Sequence, residues 1–293
     1  MEDIIRISKI RYLETMPLLT QLLNEAVPYA VIKGEPLSMA AYGKLGQRNS
    51  ADIDILVPRK YISNVKDALF SVGFEPQNSN RLHQIIALSF THQTVSYGKK
   101  AEEIDIDLDL NYDIFWGEYP GKRIDIEEFL ADSIDMTIYD FRIKTLPPLK
   151  AMVQLVLHHY NEFNSLYHLA MDYCFKKTMF KDIYYLWKNN QEVISLDFYE
   201  ICYAFGIIPY AYYVLYYTNE IFNDPSLNWL VKTFETPEGK ELLYCYGLTE
   251  KERKTWKVEF FERLDRKNVF ELVKADLTAE DLEKLKRAQE IFG

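Results

Sequence analysis

Residues 31–58 read VIKGEPLSMAAYGKLGQRNSADIDILVP. The stretch opens apolar, turns at Lys33-Gly34, and begins a short helix at Pro36, a residue suited to a helix's first turn. A polar loop through Arg48, Asn49 and Ser50 then runs into Asp52-Ile53-Asp54 and on to Ile55-Leu56-Val57. Side chains on a strand alternate between its faces, so Asp52 and Asp54 share one face and Ile53, Ile55 and Val57 the other. The aliphatic face belongs to a core. Paired carboxylates opposite a core face are costly unless they stay hydrated or meet a cation. The pair is therefore a candidate metal site.

Downstream, EEIDIDLDLN repeats the alternation, with Ile104, Ile106, Leu108 and Leu110 against Asp105, Asp107 and Asp109. Period two over this length predicts a strand. Three like charges on one face suit a solvated edge; beside Asp52 and Asp54 they suit a cation site. Upstream, Leu13, Met16, Leu19 and Leu22 make the stripe of a helix over 10–25, ended by Pro28, and 29–33 reads as a short strand. Ile62, Val65, Leu69 and Val72 predict the next helix, stopped at Gly73. Between 74 and 112 the pattern reads as strands, with 85–90 and 94–97 flanking a turn and a further turn at 98–100.

The composition shifts near Thr145. Pro147-Pro148 opens a helix, and helical stripes follow at 180–188, 196–205, 210–222, 227–234 and 278–292, the last with Thr278 and Asp281 spaced as a capping box. The expected fold is α+β: a mixed sheet with flanking helices over 1–145, then an all-helical domain over 146–293.

The chain has 293 residues and is 48% hydrophobic, enough for a sizeable core. Its net charge of −10 opposes binding to long nucleic acid or an anionic membrane surface. The uncharged run 201–219 holds Gly206, Pro209 and many Tyr, which predicts buried helices rather than a membrane span. Cys174, Cys202 and Cys245 lack metal-type spacing and suit a reducing cytoplasm. No P-loop, Gly-x-Ser-x-Gly or dinucleotide fingerprint is present.

The ordered set of a Gly turn and helix, an Asp-x-Asp strand and a later acidic strand resembles the DNA polymerase β-type nucleotidyltransferase superfamily. The wording is similar to one bacterial family, the uncharacterised nucleotidyltransferases: Lys33-Gly34, R-x-x-x-D-x-D-x-L-V from Arg48 to Val57, Val72-Gly73-Phe74, an acidic strand at Asp107 to Asp109, and a His near the start of a helical tail, as at His158. The resemblance spans roughly residues 30–190. It implies a Mg²⁺-dependent enzyme moving an NMP from an NTP, ATP among them, to a hydroxyl on a small molecule or protein. Mg²⁺ takes carboxylate oxygens and offsets triphosphate charge. Asp52, Asp54 and Asp107 would hold the metals, with Asp105 and Asp109 open as alternatives on the same face. The superfamily's Gly-Ser turn is replaced by Lys33-Gly34-Glu35, so Lys33 would bring a charge where a hydroxyl is usual, and Glu35 a carboxylate unfavourable to phosphates. Arg48 either meets a phosphate or pairs with a strand carboxylate. Lys181, in a Lys-Asp pair like that of related enzymes, is a further nucleotide contact or a surface ion pair. The rivals are a tRNA-directed nucleotidyltransferase and a non-catalytic module retaining the fold.

Overall fold

The N-terminal elements are α1 (Glu2–Asn24), β1 (Ala30–Ile32), α2 (Gly34–Tyr42), β2 (Asp52–Leu56) and α3 (Ile62–Ser71). Then come β3 (Glu75–Pro76), α4 (Arg81–Phe90), β4 (Tyr97–Ala101), β5 (Ile104–Asn111), α5 (Ile126–Leu130), β6 (Ile134–Ile138) and β7 (Phe141–Thr145). The computed structural model describes residues 2–48, 50–101, 104–117, 119–171 and 176–292; Asn49 and Cys174 lie outside them. The chain divides into two compact units, Met1–Gly117 with Ile124–Ala151, and Glu118–Arg123 with Met152–Gly293.

The first unit is built on a seven-stranded mixed sheet of order β3-β4-β5-β2-β1-β7-β6. β2 runs parallel to β5 and β1 parallel to β7, and the remaining pairs are antiparallel. Its core forms where the aliphatic face of β2 and β5 meets the helices: Ile53, Ile55, Ile106, Leu108 and Leu110 pack with Leu18 and Leu22 of α1 and Val65 and Leu69 of α3. Burying one face of two alternating strands leaves their aspartates together on the other. Gly73, at φ 88°, ends α3 in the left-handed region that glycine adopts without a Cβ penalty.

Three local expectations change. Residues 85–90 are helix, not strand: the Asn80 side chain accepts from the Leu82 and His83 amides and caps α4. That cap satisfies donors a strand would have paired otherwise. Residues 98–100 are ladder, not turn, because β4 pairs with β5 through Ala101. α1 starts at Glu2, well before residue 10.

The second unit holds most of α6 (Pro148–Asn164), then α7 (Leu166–Ala170), α8 (Lys177–Asn189), α9 (Gln191–Ala204), α10 (Ile208–Phe222), α11 (Pro225–Thr233) and α12 (Pro237–Leu242). It is not all helical: β8 (Cys245–Tyr246) pairs with β9 (Lys254–Thr255). α13 (Phe260–Arg263) and α14 (Ala279–Phe292) complete it. At the start of α14 the Thr278 amide donates to Asp281 and the Asp281 amide to Thr278 Oγ1, a reciprocal capping box. Tyr160, Tyr213, Tyr217 and Phe260 form a ring-rich interior. Among the described residues no helix is long and apolar enough to cross a membrane. Cys202 and Cys245 are free thiols.

Candidate active site

The parallel register of β2 and β5 sets Asp52 opposite Asp107 and Asp54 opposite Asp109. Carboxylate oxygens of Asp52, Asp54 and Asp109 all lie within 4.8 Å of one another. Asp107 is outside that group, and its carboxylate accepts from the Gln77 side chain. The third carboxylate of the cluster is thus Asp109 in place of the expected Asp107. Alternation fixes the face of a strand, but only pairing register fixes which residue on that face stands beside a neighbour.

Asp54 is buried, and its Oδ1 accepts from the Asn111 side chain at 3.3 Å and from Lys33 Nζ at 2.7 Å. Burial, with the charges of Asp52 and Asp109, raises its carboxyl to about 7, although Lys33 pulls the other way. Burial and Asp52 raise Asp109 as well, while a hydrogen bond from Ser96 Oγ opposes the rise. Asp52 is more open and accepts from Ser50 Oγ at 3.0 Å. The cluster therefore has too little positive charge for three ionised carboxylates. It is three hard oxygen donors grouped on rigid strands, which is the donor set that Mg²⁺ or Mn²⁺ takes. The residues fit such a cation, and the Lys33 ammonium is the charge that stands in its place.

Lys33 reaches Asp54 from an unusual backbone. Its φ of 60° and ψ of −152° fall in a region that is essentially glycine's own. Strain of this kind costs about 1–3 kcal/mol and persists only where its surroundings enforce it. Gly34 follows at φ 49° and opens α2. A Cβ there would lie in ordinary contact with Ser50 and the Tyr12 hydroxyl, no nearer than 3.8 Å. Beside the turn lies a pocket lined by Gly34, Arg48, Asp52 and Asp54 together with Ser8 and Arg11 of α1. The start of α2, where the positive end of its dipole lies, reaches this pocket through Gly34 and Glu35.

Glu35 is the residue that most threatened anion binding here. Its carboxylate is buried, accepting from Ser8 Oγ, Tyr139 Oη and the Gly46 amide, each at 2.8 Å. It ties α1, α2 and the Tyr139 turn together. Burial, with Glu35 and Tyr139 nearby, raises the Tyr12 hydroxyl far above its usual range, so Tyr12 stays a neutral hydroxyl, one that accepts from the Glu35 backbone amide.

Of the other expected residues, Arg48 lines the pocket. Lys181 is an exposed residue of α8 in the second unit, its Nζ 5.8 Å from the Tyr185 ring centroid. His158 lies on α6 with Nε2 3.1 Å from Glu162. Burial alone would raise Glu162, yet His158 and His159 hold it well below the carboxylate range. Sequence reasoning missed Ser50, Ser96 and Arg11. Ser50 and Ser96 carry no pattern of their own, and Arg11 sits in a helix that looked purely structural.

No curated protein matches the chain. Among solved structures, the crystal structure of ANT(2")-Ia in complex with adenylyl-2"-tobramycin aligns with a TM-score of 0.39 and 10% sequence identity, covering 67% of this chain and 97% of that one. The model of the family described as uncharacterised nucleotidyltransferases matches residues 5–223, a span that takes in the turn, the aspartate strands and the first helices of the second unit. The chain belongs to that family and is a nucleotidyltransferase, an enzyme that transfers an NMP group.

Proposed function

We propose that the protein moves an NMP from an NTP to a hydroxyl on a small molecule or protein, in a reaction that depends on Mg²⁺ or Mn²⁺. The carrying observation is the cluster of Asp52, Asp54 and Asp109, two of which, Asp52 and Asp54, line a pocket that also receives the start of α2. Bound to these carboxylates, divalent cations would offset the triphosphate's charge and favour in-line displacement at the α-phosphate. Asp52 and Asp54 would hold them. Asp109, raised in pKa by burial, takes the proton of the acceptor hydroxyl as its oxygen bonds to the α-phosphorus. The bond to the β-phosphate oxygen breaks, and pyrophosphate leaves. With a cation on Asp54, Lys33, which now holds that carboxylate, would be free to meet the phosphates beside Gly34 and Arg48. The net charge of −10 favours a small-molecule or protein acceptor over a long nucleic acid.

The test is pyrophosphate release and label transfer from each of the four α-labelled NTPs, with Mg²⁺ or Mn²⁺, on panels of small hydroxyl compounds, proteins and tRNA. Transfer that survives Asp54→Asn or excess chelator defeats the reading. Transfer confined to tRNA replaces the acceptor class.

A further inference from the structure

We infer that Arg11, on the N-terminal helix α1, is a phosphate-contact residue of the nucleotide site; the inference rests on the reading of the site as one that binds an NTP. Arg11 lines the same pocket as Gly34, Asp52 and Asp54. One end of its guanidinium is fixed, because Nη1 donates to the Ser50 carbonyl at 2.6 Å. The adjacent Nε is buried and has no hydrogen-bond partner among the described residues. Nor does Arg11 form an ion pair among them, although Asp52 lines the same pocket. A buried donor left without a partner is costly, and a guanidinium held at one end presents the rest of its planar fork in a fixed direction. Carboxylate and phosphate oxygens match that fork. The carboxylates of this pocket meet other donors, Glu35 three of them, Asp54 Lys33 and Asp52 Ser50, while Arg11 is turned to the Ser50 carbonyl. An incoming triphosphate is the anion that completes Arg11. Ser8, one turn before Arg11, is bonded to Glu35, so α1 is locked to the start of α2 and its arginine is preorganised.

Tripolyphosphate is the probe, since it carries the phosphates without a base, and Mn²⁺ alone is the second. Arg11→Gln can keep a donor toward the Ser50 carbonyl while removing the charge, and Arg11→Lys keeps the charge without the fork; both are checked for unchanged melting before use. The expected result is that Arg11→Gln weakens tripolyphosphate and ATP binding roughly 10- to 100-fold. Arg11→Lys should recover part of the loss, and Mn²⁺ affinity without phosphate should stay at the wild-type level in both. Unchanged tripolyphosphate affinity in Arg11→Gln overturns the inference while leaving the nucleotidyltransferase reading intact. So does a parallel loss of Mn²⁺ affinity, which would mean Arg11 acts only through Ser50 and Asp52. Should Arg11→Gln melt early, Arg11→Lys alone decides: wild-type tripolyphosphate affinity without the fork also overturns it. A wild type that binds neither ATP nor tripolyphosphate removes this inference and the reading beneath it together.

Discussion

Two buried carboxylates flank the Lys33-Gly34 turn, and their surroundings differ. Glu35, on the helix side, receives three hydrogen bonds from neutral donors and has no acidic neighbour among its bonded partners. Asp54, on the strand side, has one ammonium, one long amide contact and two like charges close by. A carboxylate whose lone pairs are filled by fixed donors is a structural joint. One that is under-supplied and crowded by its own kind is incomplete until a cation arrives. The difference separates a residue that holds α2 in place from one that works.

The comparison breaks first at Asp54. Asp54→Asn should lower NMP transfer on the order of 10⁴-fold, yet stabilise the cation-free protein. Asp54's native value of about 7 lies above the roughly 4 of an unfolded aspartate. The native state therefore holds the extra proton between those values, and wild-type stability should fall as pH rises from about 4 to 7. Asp54→Asn removes that slope, so at pH 8 without divalent cation it should be the more stable protein, by on the order of 2 kcal/mol. Saturating Mn²⁺ should restore the wild type, by roughly 2.7 kcal/mol at one hundred times the dissociation constant, and leave the variant unmoved. Denaturation series at several pH values check this; a variant less stable than wild type at pH 8 would mean Asp54 is a joint like Glu35.

The next effect concerns the β5 register. Asp109→Asn should reduce transfer about 10²-fold through loss of the proton acceptor, while Asp107→Asn, whose carboxylate accepts from the Gln77 side chain outside the cluster, should keep most activity. Steady-state rates at saturating Mn²⁺ and NTP decide it, and the reverse ranking would return the role to Asp107.

Glu35 sharpens the contrast from its own side. In Glu35→Gln the amide nitrogen must face either the Gly46 amide or the Ser8 and Tyr139 hydroxyls. At least one buried donor is left without an acceptor, a cost of about 1–3 kcal/mol. Activity per folded molecule should be retained. A variant that folds as well as wild type but has lost transfer would place Glu35 in the chemistry.

This contrast also explains what the sequence could disclose. The alternation through Asp52–Val57 and Ile104–Leu110 was legible because period two is a local property, and so were the sharing of one face by the aspartates and the helix stripes of the second unit. The third carboxylate was not: choosing between Asp107 and Asp109 needs the strand register, which non-local packing decides. α4 was misread because its apolar run fits either period and the Asn80 cap settled it. The β6–β7 hairpin went unseen, its Asp135, Arg142 and Lys144 held by ion pairs rather than by apolar pattern. Glu35 looked hostile to phosphate because its three donors come from distant or unremarkable positions: Ser8, Gly46 and Tyr139.

The smallest effect is the most specific. Lys33 lowers the carboxyl of Asp54 against the burial that raises it, and occupies Oδ1 at 2.7 Å. Lys33→Met removes the ammonium and nearly keeps the volume of the stem. Without the positive charge, ionising Asp54 costs more, so its carboxyl should titrate higher. The pH at which half of the protein binds a fixed, subsaturating Mn²⁺ concentration should move up by about one unit. Well above that pH, where Asp54 is ionised in both proteins, Mn²⁺ alone should bind more tightly to the variant, because the cation no longer displaces an ammonium. Tripolyphosphate affinity should change in the opposite direction, since the same ammonium turns to the phosphates once Asp54 is taken. Mn²⁺ titrations by electron paramagnetic resonance across pH, with and without tripolyphosphate, separate the three movements. A midpoint that stays put or moves down would show that Lys33 is not the counter-charge governing Asp54, and the strained turn that carries it would then need another reason to exist.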